Sequence, residues 1–407
     1  MSGPTELPYQ PIDLDFGGRL IVGQQTVREQ LTNVLKSNRL SHAYLFAGPP
    51  GVGKKALALA FAEAVNGIDH FTDLQGTAFS KKSNWSTHPD IHFFMPLPGS
   101  EPDISELTAR NTLLAADPYD IVDFNNRPSL GSDDESGNKN AFYAIEYFRS
   151  GIRPVVYLKP NEGYRKVIII TEIERMKKES SNAFLKLLEE PPPNVMFILT
   201  TENINALLPT IISRCQVLRC PPLTQEEIYD GLVNRDGVQE SDAKFLSKVS
   251  SGNYSMTRFY DVNRLQTSRN EVLSFLRASY AMDPIQIINF STSWNKDLNT
   301  QAQIGILNLI EVFIRDISVY RQTGDADLLT NSDQVNVISK FCESLTNAKL
   351  DEMLALIHVN RQSLRQNVSP RLLFTVIANR FAYLMRGMDT PVEATDDWKH
   401  LPALEIN

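Results

Sequence analysis

The sequence predicts an α/β domain, built on a parallel sheet with helices on both faces, followed by an all-helical region. Three observations lead to this fold class. Short apolar runs typical of buried strands alternate with helical patterns as far as Pro221 and Pro222. A glycine-rich loop stands between the first such strand and a helix. After the two prolines the periodicity is almost entirely helical.

The first strand, loop and helix follow one another closely. Ala43–Ala47 (AYLFA) is a short apolar run that ends at Gly48, as expected for a buried parallel strand. Lys54–Val65 follows as an alanine-rich helix. An amphipathic helix over Gln24–Lys36 precedes the strand, with apolar residues at helical spacing. This strand–loop–helix order is the context that a phosphate-binding loop requires.

Residues 67–144 are expected to form an irregular insertion, and regular elements return at Ile145. Within the insertion, Ile91–Met95 is a candidate strand, and Asn125–Asn140 is polar, acidic and rich in glycine and serine, which is typical of a solvated loop. The remaining predicted strands are Arg165–Ile170, Val195–Thr200 and Gln216–Leu218, and the helices between them are Ser180–Glu189 and Leu207–Ser213.

Three domains are expected along the chain. Residues 1–222, which begin with an irregular arm, form the α/β domain, residues 223–266 a small helical lid, and residues 267–407 a C-terminal helical domain. In this last domain apolar stripes, which include Ile310 and Phe381, are spaced to bury one face of each helix. Part of its apolar surface is also expected to form a subunit interface.

Composition excludes several classes of function. The 407 residues carry a net charge of −8, which disfavours a DNA-binding module that acts alone by bulk charge. The three cysteines include no CxxC pair, so a cysteine zinc site is excluded and a disulfide framework is implausible. Because the N-terminus has no signal-peptide pattern and no long apolar run occurs, we expect a cytoplasmic protein without a membrane span.

The loop after the first strand, GPPGVGKK, nearly satisfies the phosphate-binding pattern GxxxxGK[ST]. In such a loop backbone N–H groups surround the phosphates, the lysine reaches the β- and γ-phosphates, and the Ser/Thr hydroxyl ligates Mg²⁺. Gly48, Gly51, Gly53 and Lys54 keep their places, but Lys55 replaces the hydroxyl, and an ammonium cannot ligate Mg²⁺. We therefore expect poor Mg²⁺-dependent hydrolysis. The sequence leaves open whether ATP or ADP still binds weakly.

Two further strand ends belong to the same chemistry. A hydrolysing site needs an apolar strand that ends in Asp-Glu, because the aspartate organises Mg²⁺ and the glutamate polarises the attacking water. Here the strand is followed by Thr171 and Glu172, so only the second acid is kept, and alone it is also compatible with a surface acid. Thr200 ends a later strand and is either a sensor of a γ-phosphate or an ordinary strand-end threonine.

Four segments resemble the bacterial clamp-loader subunits of the AAA+ superfamily. They are VGQ at residues 22–24, SHAYLF at 41–46, NAFLKLLEEPP at 182–192 and LPTIISRCQ at 208–216. The helix that ends in E-E-P-P, combined with the S-R-C triplet, is highly specific. The resemblance is strong over residues 20–65 and 145–222, weak over 66–144 and general over 223–390.

This resemblance implies one subunit of a five-membered ring that uses ATP to open a sliding clamp and close it on primed DNA. The delta-prime class of DNA polymerase III fits best, because its members act as a stator. They typically lack a working ATP site, yet they present the S-R-C arginine, here Arg214, to an adjacent ATPase subunit as an arginine finger. The implied partners are gamma/tau and delta subunits, the clamp, and primed DNA through the complex. No cofactor is required, and polymerase activity would belong to other subunits.

The sequence departs from the family pattern in three places. Members usually carry a four-cysteine zinc module, whereas residues 66–144 hold no cysteine, so no zinc is expected and His88 is not a ligand candidate. The acidic insertion near residues 117–140 has no family counterpart. Ser255 occupies the region where active subunits carry a sensor arginine, and Arg258 is three residues away.

Two classes of function remain. A non-hydrolysing partner in a ring is favoured by Lys55, Thr171 and Ser255, which all replace residues that hydrolysis needs. The alternative is an active ATPase, either a clamp-loader subunit of the gamma/tau type or another AAA+ motor. Robust Mg-ATP turnover that is lost in Lys54→Ala would identify the alternative, so whether this chain is itself an enzyme stays open.

Overall fold

The computed structural model describes residues 21–37, 39–66, 85–99, 104–124, 127, 130, 141–161, 163–260, 264–298, 300–364 and 368–390. The chain divides into two compact units, Met1–Val262 and Asn263–Asn407. The first unit includes the helices that follow residue 222, so a separate lid domain stays a prediction. In the described part of the chain, no helix is both long and apolar enough to cross a membrane.

The first unit is built on a five-stranded parallel sheet with the spatial order β2-β3-β4-β1-β5. The strands are β1 (Ala43–Ala47), β2 (Ile91–Phe94), β3 (Lys166–Ile170), β4 (Val195–Thr201) and β5 (Gln216–Arg219). Every residue of β1, β3 and β4 is buried, as their continuous apolar runs require. The predicted α/β fold class is therefore confirmed.

Helices connect and cover these strands. They are α1 (Gln25–Lys36), α2 (Lys54–Val65), α3 (Ile104–Ala116), α4 (Ile145–Tyr147), α5 (Arg153–Val156), α6 (Lys178–Glu189), α7 (Pro209–Ile212), α8 (Gln225–Asp230) and α9 (Glu240–Val249). A π-helical segment, Phe148–Ile152, joins α4 to α5, and another, Gly231–Arg235, extends α8. The chain then forms a 3₁₀ helix at Tyr254–Phe259.

Within residues 67–144, the candidate strand Ile91–Met95 is present as the edge strand β2. The expectation that the rest of this segment is irregular is wrong in part, because it also contains a 13-residue helix, α3. A buried arginine explains how α3 is held: Arg110 donates hydrogen bonds to the carbonyl oxygens of Val122 and Arg127, and its guanidinium lies 3.7 Å from the ring centroid of Phe124. The acidic stretch expected to be a solvated loop, residues 125–140, lies almost wholly outside the described residues.

The second unit contains helices and no strand among its described residues. Its helices are α10 (Leu265–Ala281), α11 (Pro284–Asp297), α12 (Thr300–Thr323), α13 (Val335–Ser344), α14 (Leu350–Leu364) and α15 (Pro370–Leu384). Phe275, Phe290, Trp294 and Phe374 form an aromatic cluster in which Trp294 lies 4.9 Å from Phe374 between ring centroids. The apolar stripes expected from the sequence are buried, except that Val376 is 36% exposed.

Candidate functional site

The phosphate-loop residues lie at the carboxyl edge of the sheet, where the strand order places β1 between β4 and β5. Ligands of open parallel sheets bind at this edge, where neighbouring connections diverge. Gly48 donates its N–H to the carbonyl oxygen of Thr201, 3.2 Å away. A Cβ atom at Gly48 would lie 2.0 Å from the carbonyl oxygen of Cys220, so only glycine fits between these neighbouring strands. The loop therefore retains the tight start of a phosphate-binding turn.

Lys54 is turned back onto its own loop. Its ammonium donates hydrogen bonds to the carbonyl oxygens of Gly48 and Pro49, at 2.7 and 2.5 Å. The residue is only 7% exposed, and burial lowers the pKa of its amine. Lys55, in the position of the missing hydroxyl, reaches towards the Asp120 carbonyl oxygen at 3.4 Å. Lys54 therefore lies in the loop, as the sequence predicts, and its ammonium is bonded to carbonyl oxygens of that same loop.

Both positive-φ glycines of the loop are contacted by residues that the sequence pattern does not identify. A Cβ at Gly51 would lie 1.5 Å from Asn253 Oδ1, and one at Gly53 would lie 3.0 Å from the Tyr119 hydroxyl oxygen. The Gly51 carbonyl oxygen also accepts hydrogen bonds from the N–H groups of Tyr254 and Ser255, at 3.0 and 3.3 Å. Ser255, expected near the position of a sensor arginine, therefore meets the loop through its backbone.

Thr171 does not present its hydroxyl to the loop. The Thr171 hydroxyl donates to the carbonyl oxygen of Phe94, 3.2 Å away on the neighbouring strand β2. The Tyr143 hydroxyl lies 2.7 Å from the Thr171 carbonyl oxygen and 3.0 Å from that of Phe94. The residue that replaces the metal-organising aspartate is thus used to join β2 to β3.

Glu172 is the retained acid, and it is held in an ion pair within the chain. Its carboxylate accepts a 2.6 Å hydrogen bond from Arg175 Nε, and its backbone adopts a left-handed φ of 51°. Burial, reinforced by the carboxylate of Asp123, raises the pKa of Glu172 to about 7 despite the nearby guanidinium. A general base works best when its pKa lies near the operating pH, but here Arg175 already occupies its oxygen.

Thr200 is bonded to Glu172. Its side-chain oxygen accepts a hydrogen bond from the Glu172 N–H, 3.1 Å away, and the residue is buried. The sequence brings Thr200, Glu172 and the loop to one edge of the sheet, as expected. The observed bond fixes the turn after β3, and the role of Thr200 as a phosphate sensor stays a prediction.

Arg214 lies at the opposite, amino edge of the sheet. It follows α7, and its side chain is 33% exposed. The guanidinium donates to the Thr210 carbonyl oxygen at 3.0 Å and to the Glu189 carboxylate at 2.9 Å. Glu189 ends α6 within the E-E-P-P segment, so the two sequence features that seemed most specific meet in space. The arginine is therefore oriented by two acceptors and remains accessible from outside the chain.

The strand register shows that Arg214 cannot serve the phosphate loop of its own chain. Strands β5 and β1 are parallel, with Gln216 beside Tyr44 and Arg219 beside Ala47. Arg214 therefore precedes the strand at one end, whereas Gly48 follows β1 at the other. Six residue steps separate Arg214 from Cys220, roughly 20 Å at 3.3 Å per residue, which is beyond the reach of one side chain.

The segment His88-Pro89-Asp90 holds a buried, ion-paired aspartate. The Asp90 carboxylate is fully buried, pairs with Lys166 Nζ at 3.1 Å and accepts hydrogen bonds from the N–H groups of Asn161 and Gly163. His88 Nδ1 accepts the Asp90 N–H. Among the described residues, no group of three or more His, Cys, Asp or Glu is arranged to hold a metal ion.

Two family models match the chain. One is described as DNA polymerase III, delta subunit, and matches residues 23–224. The other, DNA polymerase III, delta subunit, C terminal, matches residues 264–382. The first covers all five strands of the parallel sheet and ends just before α8, and the second covers most of the helical unit. Together they account for well over half of the sequence.

Individual relatives point in the same direction. The delta′ subunit of DNA polymerase III from Bacillus subtilis is 24% identical over 85% of this chain and 92% of that protein. The tau/gamma subunit from Haemophilus influenzae is 30% identical, but the match spans 53% of this chain and a quarter (25%) of that protein. The tau subunit from Bacillus subtilis is 25% identical over 88% of this chain and 60% of that protein.

Among solved structures, a DNA polymerase III gamma subunit-related protein from Thermotoga maritima covers 88% of this chain and 100% of its own at 15% identity, with a TM-score of 0.44. The delta′ relative matches nearly end to end, whereas the tau relatives extend well beyond the shared region. With both family models placed in order along the sequence, the chain belongs to the DNA polymerase III delta-subunit family of clamp-loader proteins.

Proposed function

We propose that this chain acts as a delta-prime-type stator in a clamp loader and supplies Arg214 to the ATP site of a neighbouring subunit. The observation that carries the proposal is the placement of an accessible, oriented arginine at the sheet edge opposite its own phosphate loop. Since that distance excludes action on its own loop, any nucleotide that Arg214 serves belongs to another chain. A guanidinium in such a position stabilises the charge that develops on the γ-phosphate.

Hydrolysis by this chain itself is expected to be weak or absent. The hydroxyl that would ligate Mg²⁺ is replaced by Lys55, and the aspartate that would organise the ion is replaced by Thr171, whose hydroxyl is bonded to β2. The retained Glu172 is paired with Arg175. These contacts favour the stator over the gamma/tau-type ATPase. The second, helical unit is proposed to join the ring, with gamma/tau and delta subunits as partners.

The proposal is tested in a reconstituted loader by measuring the ATPase rate stimulated by clamp and primed DNA. Arg214→Ala should lower the rate at the neighbouring site by about 10³-fold, the lower end of the range for arginine fingers. Arg219→Ala is a matched control, because it removes an exposed arginine from the other end of β5. Equal rates for the two variants, in loaders shown to be fully assembled, would exclude Arg214 as a finger.

A further inference from the structure

The phosphate loop is covered by two tyrosines from different parts of the chain. Tyr119 follows α3 at the start of the acidic insertion, and Tyr254 begins the 3₁₀ helix after α9. Both are fully buried, and their rings meet edge to face with 4.9 Å between centroids. Burial raises the pKa of Tyr119 to about 12, so its phenol stays protonated. Aromatic pairs of this geometry add to the stability gained from burial.

Tyr119 bridges the first turn of the domain and the loop. Its hydroxyl oxygen accepts the N–H of Val22, 2.6 Å away, just before α1. The same oxygen lies 3.0 Å from the position that a Cβ at Gly53 would take. Backbone N–H groups at such a turn and the glycines of a phosphate loop are the groups that a bound nucleotide would meet. In this chain Tyr119 contacts both.

Ion pairs hold the segments that follow β5 next to Tyr119. Asp117 forms ion pairs with Arg235 and, at 3.1 Å, with Arg258. Asp236 pairs with the same two arginines, at 2.6 Å in each case, and accepts the Tyr254 hydroxyl at 2.6 Å. Two carboxylates and two guanidiniums thus balance in charge. All four side chains are partly buried, so each charge is stabilised by its oppositely charged partners.

The pKa of Asp117 follows from the same arrangement. Burial alone would raise it, but the guanidiniums of Arg235 and Arg258 outweigh burial and hold the pKa of Asp117 below its usual value. Asp117 and Tyr119 belong to one short segment, so the insertion contributes both the ring over the loop and the charge that holds the covering helices.

We propose that residues 117–119 are a built-in occupant of the nucleotide pocket, which latches the helices after β5 onto the sheet. This goes beyond the proposed function, because it concerns the chain's own loop and not Arg214. The latch takes the place that ATP would have: Tyr119 contacts Val22 and Gly53, and Asn253 contacts Gly51. The Lys54 ammonium is bonded to two carbonyl oxygens of its own loop. The helices after β5 then keep the same position on the sheet whether or not ATP is present.

The first test uses the full chain and a fluorescent ATP analogue with Mg²⁺. The wild-type chain should show no saturable binding, and ATP should not slow hydrogen exchange in residues 48–55. Saturable binding in the micromolar range, with protection of that loop, would overturn the proposal. This result would leave the role of Arg214 untouched, so failure of the latch and failure of the proposed function are distinguishable.

The second test measures hydrogen exchange in the segment 251–258 of the full chain. Tyr119→Ala should speed exchange of the Tyr254 and Ser255 amides by at least about tenfold, because these amides are protected only while the covering segment stays closed. Tyr143→Phe is a control, since Tyr143 is another fully buried tyrosine whose hydroxyl bonds backbone carbonyls near β3. Equal exchange in the two variants would overturn the proposal.

A milder variant covers the case in which Tyr119→Ala fails to fold. Tyr119→Phe keeps the ring and removes the acceptor of the Val22 N–H. It should speed exchange at Val22 by several-fold, whereas Tyr143→Phe should not. Unchanged exchange at Val22 would show that the observed bond does not hold the first turn, and this would contradict the latch.

Discussion

The two edges of one parallel sheet differ in what meets the functional residues. At the carboxyl edge the loop glycines touch Tyr119 and Asn253, and Lys54 is only 7% exposed. At the amino edge Arg214 is bonded to Glu189 but keeps 33% of its side chain exposed. At one edge the motif residues are contacted by other parts of the same chain, whereas the other edge keeps an outward-facing charge.

The largest effect is expected at the carboxyl edge of the sheet, where Tyr119 lies over the loop. Tyr119→Ala should lower the free energy of unfolding of the first unit by about 3–5 kcal/mol, because it removes a large, fully buried side chain and leaves a cavity. Tyr157→Ala is the matched control, since Tyr157 is 58% exposed, and it should change stability by less than about 0.5 kcal/mol. Urea denaturation of the full chain followed by circular dichroism measures both. Similar losses would mean that the tyrosine over the loop is not packed as described.

The charged part of the latch should come next. Asp117→Asn should cost about 2–3 kcal/mol, because Arg235 and Arg258 lose a charged partner. Since the folded-state pKa of Asp117 is lowered, its contribution is present above the unfolded carboxyl pKa and is lost as the pH falls through the lower folded value. Unfolding measured between pH 3 and pH 7 should therefore show a smaller acid-side slope in the variant.

An exposed aspartate provides the contrast for this measurement. Asp230→Asn changes the same chemical group at an exposed position on α8 and should change the free energy of unfolding by less than about 0.5 kcal/mol. If Asp117→Asn behaved like Asp230→Asn, the ion pairs over the loop would contribute nothing to closing it.

Glu172 should show the opposite dependence on pH. Its folded-state pKa is raised to about 7, so the folded chain binds more protons than the unfolded chain between roughly pH 4.5 and 7. Stability conferred by the protonated form is therefore lost as the pH rises through this window. Glu172→Gln should not lose stability in this window. The free energy of unfolding of the variant, taken relative to wild type, should therefore be about 1–2 kcal/mol higher at pH 8 than at pH 5. Parallel pH profiles for the two proteins would contradict the assigned burial of the carboxylate.

The smallest effect is expected at the amino edge of the sheet, where Arg214 lies. Glu189→Ala removes the carboxylate that orients Arg214, but half-exposed ion pairs contribute less than about 1 kcal/mol to stability. In a reconstituted loader the variant should lose less than about tenfold in ATPase rate, because Thr210 still orients the guanidinium. A loss as large as that of Arg214→Ala would mean that the carboxylate itself takes part in the neighbouring site.

The sequence predicts the parallel sheet well because its strands are short, continuous and apolar. The structure agrees with the predicted bounds of β1 and α2, and it shifts one or both ends of each other element that was predicted with bounds by one or two residues. Helix α3 was missed because Ile104–Ala116 was interpreted as part of one irregular insertion. Its stability depends on Arg110, whose acceptors Val122 and Arg127 lie 12 and 17 residues away.

The sequence identified the motif residues, but it predicted neither their contacts nor the edge of the sheet at which Arg214 lies. Tyr119 stands in an unremarkable Asp-Pro-Tyr-Asp segment, and its partner Val22 is 97 residues away. No local pattern indicates such a pairing, which only the folded chain creates. By contrast, the contact between Arg214 and Glu189 joins two segments that the sequence had already singled out, 25 residues apart.

The most direct test of the account compares both edges in one reconstituted loader. Lys54→Ala removes the lysine at the carboxyl edge, and Arg214→Ala removes the arginine at the amino edge. With assembly verified for each, the clamp- and DNA-stimulated ATPase rate should stay near the wild-type value for Lys54→Ala and fall by about 10³-fold for Arg214→Ala at the neighbouring site. A loader that loses its activity with Lys54→Ala and keeps it with Arg214→Ala would contradict the account.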